Sequence, residues 1–301
     1  MTIGVLRMTN NCPDIRLSSQ IGEGKGGLAR QMRCLILLFV MTLAAPSWAT
    51  PDRLHEISRA PSPDRIEQDI RTLVGFGTRH TLSDTESETR GIGAARRWIK
   101  AEFECISADC GGCLEVYFQR EIVEAATRIP EPTEIVNVIA ILRGQREPNR
   151  YVVMSGDIDS RVSDPLDSTT DSPGANDNAS GMAGTIEAAR VLTQYRFPAS
   201  IVFVGLSGEE QGLFGGQIMA ARAKADGWQI EAVLNNDMIG TVTGIDGVTD
   251  NTSARIFSEA TRSDETPKEA INRRFRGGEV DSPSRNLARY IDRIADDYIA
   301  N

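Results

Sequence analysis

The sequence predicts an α/β fold, a three-layer sandwich around a central mixed, largely parallel sheet. Two observations carry this expectation. From Tyr151 onward, short apolar strands alternate with helical stretches, the rhythm that lays helices over parallel strands. Acidic residues also stand where the apolar runs end. Asp177 lies in Gly174-Ala175-Asn176-Asp177-Asn178-Ala179-Ser180-Gly181, the pair Glu209-Glu210 follows the apolar run 201–208, and Asp237 follows the run 232–236. Open α/β sheets build their sites at the carboxyl ends of strands, so these carboxylates are expected to converge.

Taken in order, residues 50–62 read as a polar, proline-punctuated lead-in. Ser62-Pro63-Asp64 then starts a helix to about Val74, with Ile66, Ile70, Leu73 and Val74 at helical spacing. Residues 75–80 form a loop, and a second helix spans 89–103. Residues 114–123 and 135–142 alternate as strands do, while Tyr151-Val152-Val153-Met154 is apolar throughout, as in a strand buried on both faces. A long helix over 178–195 places Met182, Ile186, Ala189 and Leu192 toward the core. A strand over 201–206, a helix over 212–225 and a strand over 230–235 complete the alternation. The chain then turns polar from 240 to 278, with at most a short helix over 252–261. A last amphipathic helix over 284–299 carries Leu287, Tyr290, Ile291 and Ile294 on one face.

At 301 residues and 40% hydrophobic, the chain can bury one full-sized core. A formal charge of −9 gives no electrostatic reason to expect nucleic acid, which needs a basic face. Near the N-terminus, Gln31-Met32-Arg33 leads into an apolar run from Cys34 to Met41, and Ser47-Trp48-Ala49 supplies small residues at an exit site. This pattern reads as a secretory signal over 32–49, with a membrane anchor or a buried helix as alternatives. Residues 1–31 read as a start-site artefact or irregular pre-region, with translation beginning at Met32. The expected product is secreted or periplasmic, with no membrane association after signal cleavage. Export suits the pair Cys110-Gly111-Gly112-Cys113, most simply a local disulfide, with free thiols or a metal or redox site as alternatives. Cys105 is the odd cysteine left over. Oligomeric state is not legible.

The carboxylates themselves suggest a metal site with a spare base. Asp177 sits in a strand-to-helix loop where Gly174 permits a tight turn. Adjacent residues such as Glu209 and Glu210 point in different directions, so one can bind an ion while its neighbour takes a proton from water. Each taken alone reads as a solvent-exposed loop carboxylate; three at strand ends within one α/β unit do not.

The three motifs Pro173-Gly174-Ala175-Asn176-Asp177-Asn178-Ala179-Ser180-Gly181, Gly208-Glu209-Glu210-Gln211-Gly212-Leu213 and Asn236-Asp237-Met238-Ile239-Gly240 resemble, in order and spacing, those of the co-catalytic zinc aminopeptidases. That family includes bacterial leucyl aminopeptidases and glutamate carboxypeptidase-like enzymes, with transferrin-receptor-like relatives that bind without catalysis. The resemblance implies a zinc-exopeptidase-like catalytic domain over 63–301, a peptide substrate and two zinc ions. Asp177 would bridge the ions, Glu210 and Asp237 would each bind one, and Glu209 would be the general base for the metal-activated water. Asp159 would orient a ligand from behind.

The sequence departs from the family pattern in two places. In Ser155-Gly156-Asp157-Ile158-Asp159-Ser160, Asp157 stands where the family has a histidine ligand. An all-oxygen donor set drifts toward harder ions. The only histidines, His55 and His80, precede all three motifs, so a second family histidine has no counterpart. From this the chain is expected to lack the family's C-terminal part. Two function classes follow: a secreted metal-dependent exopeptidase, or a catalytically impaired, peptidase-like binding domain or gene fragment. His80, in Thr78-Arg79-His80-Thr81, is expected to be a hydrogen-bonded structural residue.

Overall fold

The computed structural model describes residues 51–262, 265–276 and 278–299. The signal segment expected at 32–49 and the pre-region before it lie outside the described residues. Among the described residues, no helix is long and apolar enough to cross a membrane.

Residues 51–59 form helix α1 (Pro51–Arg59), where a lead-in without structure was expected. Pro51 opens this helix: proline is tolerated at a first helical position because its missing N–H has no intrahelical partner there. Helix α2 (Pro63–Gly75) begins as expected, with the Ser62 hydroxyl accepting from the Arg65 N–H and Pro63 in the first turn. Helix α3 (Gly91–Asp109) runs one and a half turns beyond the expected 103, and Cys110 and Cys113 close a disulfide just after it. Cys105 on α3 is disulfide-bonded as well, correcting its reading as a single residue.

Five strands follow: β1 (Leu114–Val123), β2 (Thr133–Leu142), β3 (Glu147–Asp157), β4 (Ala199–Leu206) and β5 (Gln229–Asn236). They form one mixed sheet in the order β1-β2-β4-β3-β5. β1 and β2 pair antiparallel, as do β2 and β4, while β3 lies parallel to both β4 and β5. β3 is far longer than the expected 151–154, because its first residues are only partly buried and carry no apolar signal.

Alternation along the strands makes the three layers. Val138, Ala140 and Leu142 of β2 and Phe203 of β4 face Leu73 of α2, Ile92, Ile99 and Phe103 of α3, and helix α4 (Gly181–Leu192). Their neighbours Ile139, Ile141, Val202 and Val204 face the opposite way, onto Met219 of helix α6 (Phe214–Ala225). The expected sandwich is therefore present.

The two helices expected after β3 and β4 each start with an interruption. A kinked π-helical turn over Ala175–Ser180 precedes α4, with Asp177 and Asn178 outside helical geometry. After β4, a one-turn helix α5 (Glu209–Gly212) is separated from α6 by Leu213 at φ 61°. These breaks leave Asp177 outside helical geometry and set Glu209 and Glu210 in a separate single turn just past β4. Residues 252–261 form no helix, and an unexpected helix α7 (Pro267–Arg276) follows instead. Helix α8 (Pro283–Tyr298) matches the last expected element; it meets α1 where the Ser58 hydroxyl donates to the Tyr298 carbonyl at 2.8 Å.

Candidate metallopeptidase site

Parallel register brings the ends of β3, β4 and β5 level: Asp157 lies opposite Leu206 on one side, and Gly156 opposite Asn236 on the other. Asp157 ends β3, Glu209 and Glu210 open α5 just past β4, and Asp237 follows β5. Asp177 comes in from the turn before α4. That turn packs closely: a Cβ on Gly181 would lie 2.0 Å from the Asn236 carbonyl oxygen, so only glycine lets α4 start against the end of β5.

Asn178 joins these ends. Its amide nitrogen donates to Asp157 Oδ2 at 3.0 Å and to the Asn236 carbonyl at 2.8 Å. Its oxygen accepts from the Gly181 and Met238 N–H groups. This role was missed in the sequence, where Asn178 reads as one more polar residue beside Asp177.

Asp159, which the resemblance implies orients a ligand, is almost fully buried. Its carboxylate accepts the backbone N–H of Glu209 at 3.2 Å and of Glu210 at 3.1 Å, and the Thr81 hydroxyl at 3.0 Å. It is thus the cap of α5. With aspartate in place of imidazole at 157, no ring N–H exists for it to take.

The charges at this edge raise one another. Asp157 is pushed up to about 8, first by burial and then by the charge of Asp159, against a lowering by the Asn178 hydrogen bond. Glu209 is pushed up to about 7 by its partial burial, then by Asp159, Glu210, Asp237 and Asp177. Burial raises Asp237 as well, with Asp177 adding to it. Glu210 is raised by burial but held back by its ion pair with Arg161. The backbone carbonyl of Glu210 accepts from Arg128 at 2.6 Å.

His80 is fully buried, as a structural histidine should be. Its Nδ1 accepts the Leu82 N–H at 3.1 Å, which leaves the proton on Nε2, 3.0 Å from the Pro165 carbonyl. The Gln211 side-chain amide lies 3.2 Å from Nε2, and turned so that its otherwise unpartnered oxygen accepts from the ring, it ties the loop to α5.

The donor set does not fit a zinc ion as it stands. Among the described residues, no three His, Cys, Asp or Glu side chains are grouped to hold a metal. No imidazole is present at this edge, Glu210 is paired with Arg161, and Asp157 is bonded to Asn178. The structure brings Asp157, Asp177, Glu209, Glu210 and Asp237 to one sheet edge without closing them around an ion.

Residues 137–277, which contain all of these carboxylates, match the model of peptidase family M28. This part of the chain belongs to peptidase family M28. A "Probable zinc metalloprotease" of Leptosphaeria maculans is 45% identical over 247 residues, 82% of this chain and 57% of that protein. One of Pyricularia oryzae is 45% identical over 233 residues, 77% of this chain and 46% of that protein. The chain thus spans about half the length of these relatives. The fold agrees with LapB of Legionella pneumophila at a TM-score of 0.51 and 23% identity, over 64% of this chain and 48% of LapB. LapA of the same organism agrees at 0.50 and 20% identity, over 64% of this chain and 48% of LapA. The zinc-metalloprotease relatives support zinc, while this chain's own donors make only part of a zinc site.

Proposed function

We propose that this chain carries the base-bearing part of a metal-dependent exopeptidase exported from the cell, with Glu209 as its general base. The single observation behind this is the state of Glu209. Its backbone N–H is capped by Asp159, and its partial burial first, then the neighbouring carboxylates, push it up to about 7. A base poised near neutral pH combines the right protonation state with enough driving force to take a proton. In this reading Glu209 removes a proton from the water whose oxygen bonds to the scissile carbonyl carbon. The same proton then passes to the amine as the C–N bond breaks. Asp177, Glu210, Asp237 and Asp157 are the chain's candidate metal ligands. The apolar run and exit motif before Thr50, with the Cys110–Cys113 disulfide, support export.

A second reading, a peptidase-like domain without catalysis, is favoured by the Arg161–Glu210 pair and by aspartate at 157. Zinc titration alongside hydrolysis of an aminoacyl-nitroanilide separates the two. Turnover abolished by Glu209→Gln supports the enzyme. Turnover only in Asp157→His places the lesion at position 157. Neither zinc binding nor turnover in either protein sinks the enzyme reading.

A further inference from the structure

The segment Thr78-Arg79-His80-Thr81 is buried at 0–2% exposure, although it is a polar loop with no apolar side chain. Each of its side chains ends on a different part of the site. The Thr78 hydroxyl meets Ser172 Oγ at 3.1 Å, His80 reaches Pro165 and Gln211, and Thr81 donates to Asp159.

Arg79 makes the most bonds. Its Nε donates to the Ile158 carbonyl at 2.8 Å, between Asp157 and Asp159. Nη1 donates to the carbonyls of Leu73 at 3.1 Å and Pro173 at 2.8 Å, and Nη2 to that of Gly174 at 3.0 Å. None of these acceptors is a carboxylate. The positive charge is balanced only at longer range, by Asp159 and Asp177. A wholly buried cation is costly unless its site needs what a cation provides. Here one planar fork spans the exit of β3, the end of α2 and the loop leading to Asp177.

That loop is moulded onto the guanidinium. Gly174 sits at φ +47°, and a Cβ there would lie 2.9 Å from Arg79 Nη2 and 2.4 Å from the Asp177 carbonyl oxygen. The Gly174 carbonyl that accepts from Arg79 also accepts the Ala179 N–H at 3.0 Å, closing the turn around Asp177.

We propose that residues 78–81 are a buried clasp for the reacting groups, and that Arg79 is its main positioning residue, fixing the Asp177 turn against the Asp157–Asp159 strand end while Thr81 fixes the cap of Glu209. The proposal rests on the reading of Asp177 and Glu209 as working groups. Lysine cannot replace the fork, because one ammonium cannot reach four carbonyls held in a fixed plane.

Hydrogen exchange and kinetics on Arg79→Lys and Arg79→Ala test this. In Arg79→Lys, the Ala179 amide is expected to exchange at least about tenfold faster, with β2 and β4 amides unchanged, since opening is local. With an aminoacyl-nitroanilide, kcat should fall about tenfold or more with KM nearly constant, and millimolar guanidinium should restore part of kcat in Arg79→Ala. Unchanged Ala179 exchange in a folded Arg79→Lys protein overturns the clasp, as does faster exchange with kcat intact. If the parent chain hydrolyses nothing but the exchange effect appears, the clasp stands and the peptidase reading of this chain fails. If neither Arg79 variant folds, Thr81→Val decides: the Glu209 and Glu210 amides should exchange faster, and unchanged protection there overturns the proposal.

Discussion

Asp159 accepts the backbone N–H of Glu209 at 3.2 Å with one carboxylate oxygen, and that of Glu210 with the other. Two adjacent amides at the start of a helix have no intrahelical acceptor, and a buried carboxylate satisfies both while favouring the positive end of the helix. Asp159→Ala leaves two amides and the Thr81 hydroxyl unsatisfied. It should destabilise the protein by at least about 3 kcal/mol, given about 1–3 kcal/mol for each of the three unmet groups. Asp159→Asn keeps one acceptor and should lose roughly half as much. Urea denaturation of the three proteins checks the order.

The raised carboxylates give the metal-free protein a pH dependence of definite sign. Asp157 holds its proton up to about 8 when folded, against 3.8 ordinarily. Between those values the unfolded chain has released a proton that the folded chain keeps, so stability is full below about pH 4 and is lost as pH rises toward about 8. Glu209, at about 7, adds a loss of the same sign over a narrower window. Asp157→Asn removes the larger part while keeping an oxygen for Asn178. At pH 8.5 it should exceed the parent by a few kcal/mol, at about 1.4 kcal/mol per pKa unit. At pH 4 the two should coincide. Thermal denaturation across pH 4–9 without metal is the measurement.

Gly174 offers a local test of how tightly the Asp177 turn is held. Alanine there meets a left-handed φ of +47° and the Asp177 carbonyl oxygen at 2.4 Å. Strain at one such residue is on the order of 1–3 kcal/mol, and the steric overlap adds to it. Gly174→Ala should lower the melting temperature by several degrees. Gly227→Ala, at φ +69° but with nothing within 4 Å, should lose only the conformational part.

The parts of this protein legible in its sequence are those fixed by local pattern. β1 was delimited to the residue, with Leu114, Val116 and Phe118 alternating against Glu115, Tyr117 and Gln119, and the acids were found because they follow closely on the apolar stretches of β4 and β5. α1 was missed because its proline reads as a breaker when it is a starter, and α7 because none of its residues is buried, so no apolar stripe marks it. The roles of Asp159 and Arg79 were illegible for a different reason. Apart from Leu73, their partners lie 50 to 95 residues away, as with Glu209 for Asp159 and Gly174 for Arg79, and depend on where a polar loop docks. A polar tetrapeptide such as Thr78-Arg79-His80-Thr81 gives no sign in sequence that it is buried.

Arg161 stands against metal binding at this edge in two ways. Its guanidinium pairs with Glu210, the residue that the resemblance to co-catalytic zinc aminopeptidases would make a ligand, and its charge opposes a second cation nearby. The pair is partly exposed, with the arginine side chain 32% accessible, so breaking it should leave overall stability within about 1 kcal/mol of the parent. Arg161→Gln should therefore melt close to the parent. Its Glu210 is freed, and the site gains one unit of negative charge. Zinc affinity should rise by roughly five- to thirtyfold, the range that 1–2 kcal/mol represents. Competition titration with a chromophoric chelator measures it. Unchanged affinity in a stable variant would show that the missing imidazoles, and not the arginine, keep the site from closing.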